Sequence, residues 1–215
     1  REFGALGTAL RRAGVQRMNR LALMRTLFAA AVRHHEDVAA ALAPLHADFA
    51  AYAAPHPTDR ALDLGSGAGG VARLIAPRVR FTAALDFAPD ALALARQTVP
   101  GSAAFVCGDI ERLPFAASAF TLLTASFALH ATLPAHSLPA LRRALAPGGR
   151  LVIQEWGPAD ALHLAVDDLL AGHASDSPPP ALAALRTALA NLPLLWSDML
   201  QDVEDYREWL AEYGF

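Results

Sequence analysis

The chain has 215 residues, 54% hydrophobic and 18% charged, a balance that excludes a disordered segment and suits one domain with a mostly buried core. Lys+Arg 18 against Asp+Glu 21 gives a net charge of -3, leaving no cationic surplus for a phosphate backbone, so nucleic acid is not an expected partner. A single cysteine, Cys107, excludes an internal disulfide and a Cys-rich metal site and points to a reducing compartment, the cytoplasm; no apolar run reaches the roughly 18 residues of a membrane span.

Residues 5–54 carry apolar positions at helical spacing, among them Leu21, Met24, Leu27 and Phe28, with a break expected at Pro44 and an end at A54-P-H-P57. Residues 1–57 are therefore expected to form an N-terminal helical segment. His34, His35, Glu36 and Asp37 are consecutive, so a helix spreads them around its axis, and a solvated face is expected rather than a metal site. His46, His136, His163 and His173 have no chelating spacing either, and no metal is expected.

From Arg60 the pattern changes to short apolar runs: R60-A-L-D-L64, F81-T-A-A-L-D86, A103-A-F-V-C107, F120-T-L-L-T-A125 and R150-L-V-I-Q-E155. Helix-like stretches such as Pro89 to Thr98 and Ala140 to Leu145 lie between them. This alternation predicts βα repeats, hence an α/β fold with a doubly wound, mostly parallel sheet over residues 58–157 and helices on both faces. Cys107, embedded in the third run, is expected to be a small core residue and not a nucleophile. After Trp156 the alternation stops. Helices are expected from about Asp160 to Ala171 and about Pro180 to Leu192, on either side of S175-D-S-P-P-P180, and an amphipathic helix within D202 to F215 stopped by Gly214. Residues 158–215 thus form a helical appendage.

The most informative stretch is L62-D-L-G-S-G-A-G-G70, in which Gly65, Gly67 and Gly70 spell G-x-G-x-x-G at the end of the first strand. Such a turn seats a ligand beyond the carboxyl ends of the strands. A nicotinamide dinucleotide is one candidate, yet Asp63 stands two residues before Gly65, where a carboxylate repels a pyrophosphate and welcomes an ammonium group. Asp86 ends the second run, 21 residues beyond Gly65, at the spacing suited to a ribose diol. Asp109, in C107-G-D-I-E-R-L-P-F115, is placed to accept from an adenine amino group while Ile110 packs on the ring; Asp109 is equally suited to capping its own turn, and the two roles are compatible. An amine, a ribose and an adenine without phosphate make up the inventory of S-adenosylmethionine.

From about Arg60 to Gly157 the chain resembles the class I S-adenosylmethionine-dependent methyltransferases, close to the small-molecule group of the ubiquinone/menaquinone and biotin pathways. The motifs are L62-D-L-G-S-G-A-G-G70, A84-L-D-F-A-P-D-A-L-A-L-A-R96, G108-D-I-E-R-L-P-F115, F120-T-L-L-T-A-S-F-A-L-H130 and L141-R-R-A-L-A-P-G-G-R-L-V-I153. The resemblance implies a Rossmann-like core, S-adenosylhomocysteine as product, and cofactor contacts at Asp63, Gly65, Ser66, Gly67, Asp86, Phe87, Asp109, Ile110, Ala125 and Ser126. It implies a turn at P147-G-G149 and an acceptor-binding lid in the helical appendage together with the N-terminal helices.

Two departures stand out. Thr121 occupies a position where the family usually has Asp. The fold also normally adds a reversed two-strand hairpin after E212-Y-G-F215; without it, the fifth strand presents an unpaired edge suited to homodimerisation. The acceptor is expected to be small and fairly apolar, because A125-S-F-A-L-H130 contains nothing like the D/N-P-P-Y/F motif of amino-methylating nucleic-acid enzymes. His130 is the general-base candidate, with plain packing as its alternative. Phe127, Trp156 and Trp196 are candidates for an apolar acceptor pocket or for core. A nicotinamide-dependent oxidoreductase and a non-catalytic module of the same fold are the competing readings.

Overall fold

The five apolar runs become strands β1 (Arg60–Leu64), β2 (Phe81–Asp86), β3 (Ala104–Cys107), β4 (Phe120–Ser126) and β5 (Leu145–Gln154) in a computed structural model that describes residues 35–101, 103–155 and 203–215. All neighbours pair in parallel, in the order β3-β2-β1-β4-β5. The order reverses between β1 and β4, and the crevice beyond their carboxyl ends is where such a sheet receives ligands. β1 is covered on both faces, which is why it reads as a nearly unbroken apolar run and why Leu62 and Leu64 are fully enclosed.

Among the described residues, five α-helices cover the sheet: α1 (His35–Tyr52), α2 (Ala72–Ile75), α3 (Pro89–Thr98), α4 (Pro134–Ala144) and α5 (Val203–Glu212). On one face Phe49 and Ala50 of α1 pack with Ala61, Val71, Ile75 and Leu122, so the N-terminal helix shares a hydrophobic cluster with the sheet. α2, β2 and α3 meet through Ala72, Ala84, Ala95 and Val99. The largest cluster contains Leu62, Leu64, Leu85, Leu123, Leu138 and Leu141 and is covered by α4 and by Trp209, Leu210 and Tyr213 near α5. α5 closes with Gly214 at φ 76°, the Gly214 amide donating to Ala211 and the Phe215 amide to Leu210, the paired bonds of a Schellman end. Arg142 of α4 donates to the Gly214 carbonyl at 3.0 Å and ties that end to the domain.

The structure differs from the sequence reading at several points. Pro44 does not break the first helix; it lies inside α1 at an exposed position, and the helix continues past it to Tyr52 although the proline has no amide to give the Ala40 carbonyl. The expected turn at Pro147 to Gly149 is absorbed into β5 as an irregularity, Leu145 pairing with Phe120 and Arg150 with Leu122. Cys107 is exposed, because β3 is the edge strand and its last residue has no neighbour beyond it. The expected helices at 160–171 and 180–192, and the helical positions before residue 35, lie outside the described residues. Among those described, no helix is long and apolar enough to cross a membrane.

At the opposite end of the sheet from the crevice, Asp59 gathers a polar node. It accepts from Arg150 at 2.7 Å, from the Thr121 hydroxyl at 2.8 Å and from the His56 amide at 2.8 Å, while Thr121 itself accepts from the Arg60 amide at 3.0 Å. Thr121, the residue that departs from the family pattern, therefore stitches β1 to β4. Burial alone would raise the Asp59 carboxyl, but the bonds from Arg150, His56 and Thr121 hold it below its ordinary value. A depressed carboxyl stabilises the fold above its unfolded pKa and stops doing so as the pH falls through the folded one. Asp59→Ala is expected to cost roughly 1–3 kcal/mol in urea unfolding at neutral pH, with the difference from wild type shrinking once the pH falls below the ordinary carboxylate value; equal stability at neutral pH would contradict the node.

Candidate active site

The glycine turn leaves β1 at Gly65 (φ 62°) and turns again at Gly67 (φ 53°), left-handed conformations that side-chain-bearing residues rarely adopt. A Cβ on Gly65 would meet the Ala128 Cβ at 2.6 Å, so the absence of a side chain is what lets the segment after β4 close over the end of β1. The amides of the turn are already engaged. Ser66 donates to the Leu85 carbonyl at 3.0 Å, Gly67 to Asp86 Oδ2 at 2.8 Å, and Gly69 to the Ser66 carbonyl at 2.8 Å.

The crevice is open to solvent, and about 580 Å³ of space lies in and over it. Its walls are Gly65, the end of β2 with Asp86 and Phe87, the loop after β3 with Asp109, Ile110 and Glu111, and the segment after β4 with Phe127, Ala128, Ala131 and Thr132. Among the described residues, three carboxylate-bearing residues and no cationic one line it. Of the expected contact residues, the structure thus brings Gly65, Asp86, Phe87, Asp109 and Ile110 onto one surface.

Asp86 is 7% exposed; one carboxylate oxygen accepts from Gly67 and the other from Ala88, each at 2.8 Å. Burial raises this carboxyl, with the Ala88, Gly67 and Phe87 amides pulling the other way. Asp109 caps the 3-10 turn Ile110–Arg112 through the Glu111 amide at 2.9 Å, as one of its two compatible roles required. Glu111, buried in the same turn, accepts from the Leu133 amide at 2.9 Å and contacts His136 Nδ1 at 3.2 Å, which anchors the start of α4.

The other expected contacts fall elsewhere. Asp63 is 2% exposed and outside the crevice lining, so the expectation that its carboxylate meets a ligand's ammonium directly does not match the geometry. It pairs in register with Thr124, which explains the bond from the Thr124 hydroxyl to Oδ1 at 2.8 Å. The Ala72 amide approaches the carboxyl, while Oδ2 has no well-formed hydrogen bond. Burial pushes Asp63 up to about 7, and the Asp86 charge adds to the rise against the bonds from Thr124 and Ala72. Ser66 is also buried, and its hydroxyl has no partner among the described residues.

Ala125 is wholly enclosed, and the Ser126 hydroxyl turns to Gln154 at 2.8 Å; the residues that face the crevice are Phe127 and Ala128, two places further on. Gly67 acts through its amide on Asp86 and not as a wall. The His130 ring is 7% exposed, lies outside the crevice lining and is packed on Glu155, with Nδ1 at 2.8 Å from Oε2. Glu155 ends the fifth apolar run, and a carboxylate at the carboxyl end of β5 is a signal that the sequence carries. Among the described residues no group of three His, Cys, Asp or Glu is placed to hold a metal.

Comparison with known proteins matches residues 62–153 to the family described as Methyltransferase domain. A demethylmenaquinone methyltransferase from Clavibacter sepedonicus is 31% identical over 170 residues, covering 75% of this chain and 67% of that protein. The biotin biosynthesis bifunctional protein BioHC of Cellvibrio japonicus is 40% identical over 107 residues, which make up 49% of this chain and 21% of that protein. Phosphoethanolamine N-methyltransferase 1 of Haemonchus contortus, solved with phosphoethanolamine and S-adenosylhomocysteine, superposes with TM-score 0.55 at 17% identity over 67% of this chain and 34% of that one. At that identity the likeness establishes the fold. The chain belongs to the methyltransferase-domain family, the class I S-adenosylmethionine-dependent methyltransferases. It spans between 21% and 67% of the length of the first three curated relatives it matches.

Asp63 supplies a test of this geometry. A carboxyl raised above its unfolded value stabilises the fold below the unfolded pKa and ceases to do so as the pH rises through the folded value, here about 7. Between about pH 5 and pH 8 the wild type should lose roughly 2–3 kcal/mol of unfolding free energy relative to Asp63→Asn. Parallel pH profiles for the two proteins in urea titrations would show that Asp63 is not enclosed.

Proposed function

We propose that this domain transfers a methyl group from S-adenosylmethionine to a small, fairly apolar acceptor. The observation that carries the reading is the engagement of the glycine turn: the Ser66, Gly67 and Gly69 amides bond within the protein, and the adjoining walls are acidic. A pyrophosphate needs free amides at that turn and suffers from neighbouring carboxylates. An adenosyl group carrying a sulfonium and an ammonium is attracted by the carboxylates, and its single α-carboxylate asks less of the turn amides than a doubly charged pyrophosphate does. The relatives named for demethylmenaquinone support a small organic acceptor over nucleic acid or protein, and the thiol of the only cysteine fits a reducing, cytoplasmic setting.

The residues present suit the cofactor. Asp86 would take the ribose hydroxyls, Asp109 the adenine amino group, and Ile110 the flat face of the ring. Gly65 keeps the floor free of a side chain. When bound, S-adenosylmethionine supplies an electrophilic methyl on a sulfonium that departs as a neutral thioether, so this chain's residues need only align the reactants and exclude water. Phe127, Ala128 and Ala131 supply the apolar part of the wall that does so. Where the acceptor carries a proton, His130 is the residue to take it.

Titration calorimetry checks the reading. S-adenosylhomocysteine is expected to bind the wild-type protein, and Asp86→Ala to weaken it by roughly tenfold or more, about 1.4 kcal/mol. Binding of NADH without S-adenosylhomocysteine would overturn the assignment.

A further inference from the structure

Two adjacent residues at the end of β5 hold the segment that follows β4. Gln154 accepts the Phe127 amide on its carbonyl at 2.7 Å and the Ser126 hydroxyl on its side chain at 2.8 Å. Glu155 continues the pattern with its own side chain, which is 8% exposed. Its Oε1 accepts from the amides of Ala128 at 3.1 Å, Leu129 at 2.6 Å and His130 at 3.2 Å, and its Oε2 meets His130 Nδ1 at 2.8 Å. These amides open the 3-10 turn Leu129–Ala131, whose first donors have no carbonyl of their own turn to reach. Just before them Phe127 has φ 53°, an unusual value for a residue with a side chain. The carboxylate thus fixes both the turn and the ring it carries.

A carboxylate offers only acceptors, so in the neutral imidazole the proton must sit on Nδ1 and the lone pair on Nε2. We propose that Glu155 is a positioning residue for His130: it sets the tautomer that leaves Nε2 basic and fixes the turn whose Ala128 and Ala131 line the crevice beside the ring. The use of that base rests on the methyl-transfer reading above. In the step it serves, the acceptor's proton passes to Nε2 and its freed electron pair forms the bond to the methyl carbon as the carbon–sulfur bond breaks toward sulfur. Glu155 takes no proton; it balances the imidazolium charge that develops beside it.

Glu155→Gln separates this role from support of the fold. The glutamine carbonyl can accept the same three amides, and those amides oblige it to face them. Its NH2 then donates toward Nδ1, which must accept, and the ring proton moves to Nε2. Nitrogen-15 spectra of the imidazole, taken near pH 8.5 where an imidazole is ordinarily neutral, with His130→Ala used to assign the signal, read the tautomer without any turnover. The expected result is an Nδ1-protonated ring in the wild type and an Nε2-protonated ring in Glu155→Gln. S-adenosylhomocysteine affinity and unfolding midpoint should stay within twofold and about 2 °C of wild type, while methyl transfer falls tenfold or more, toward the level of His130→Ala. Retention of the Nδ1 proton in Glu155→Gln, or turnover within twofold of wild type, would overturn the proposal. Failure of the wild-type protein to methylate any acceptor would instead strike the methyl-transfer reading, and the ring spectra would still decide whether Glu155 sets the tautomer.

Discussion

Two amides converging on one buried carboxylate give the crevice its shape. Asp86 ends β2, and its oxygens receive the Gly67 and Ala88 amides at 2.8 Å. The first bond ties the glycine turn to the neighbouring strand; the second sets the entry into α3, which starts at Pro89 without a side-chain cap of its own. A turn with Gly65, Gly67 and Gly69 all at positive φ has much conformational freedom to lose, and a charge-assisted bond of this kind offsets part of that cost. Without it the turn amide would be free, and the first βα connection would resemble a phosphate cradle.

The electrostatic argument drawn from the sequence survives in altered form. Asp63 was expected to present its charge to the ligand, but it sits inside the sheet, paired with Thr124 and raised to about 7 by burial. The carboxylates that line the crevice belong to Asp86 and Asp109, with Glu111 behind them turned to Leu133 and His136. Asp63 and Asp86 nonetheless sense each other, the charge of Asp86 making ionisation of Asp63 harder. A cationic ligand in the crevice would ease both carboxylates toward their ionised forms, and an anionic one would do the reverse.

The parts of the fold that depend on local pattern were readable from residues alone. β1, β2 and α3 have the boundaries that their apolar runs and Pro89 indicated, because a strand buried on both faces is apolar along most of its length. What depends on neighbours was not. Cys107 is exposed because β3 lies at the edge, a fact of strand order. Asp63 is enclosed because β1 lies between β2 and β4 with Thr124 in register beside it. The crevice contacts after β4 are Phe127 and Ala128 instead of Ala125 and Ser126, since Ala125 still belongs to the buried strand. The pairing of His130 with Glu155 joins residues that meet only when β4 and β5 lie side by side.

The account rests on an adenosyl ligand occupying the space between the ends of β1, β2 and β4, and a crystal structure of the full chain soaked with S-adenosylhomocysteine tests it most directly. The account predicts ribose hydroxyls on the Asp86 carboxylate, adenine against Ile110 with its amino group toward Asp109, and the sulfur facing the wall formed by Phe127 and Ala128. Density for the ligand outside this crevice, or a Gly67 amide that leaves Asp86 to bind it, would contradict the account.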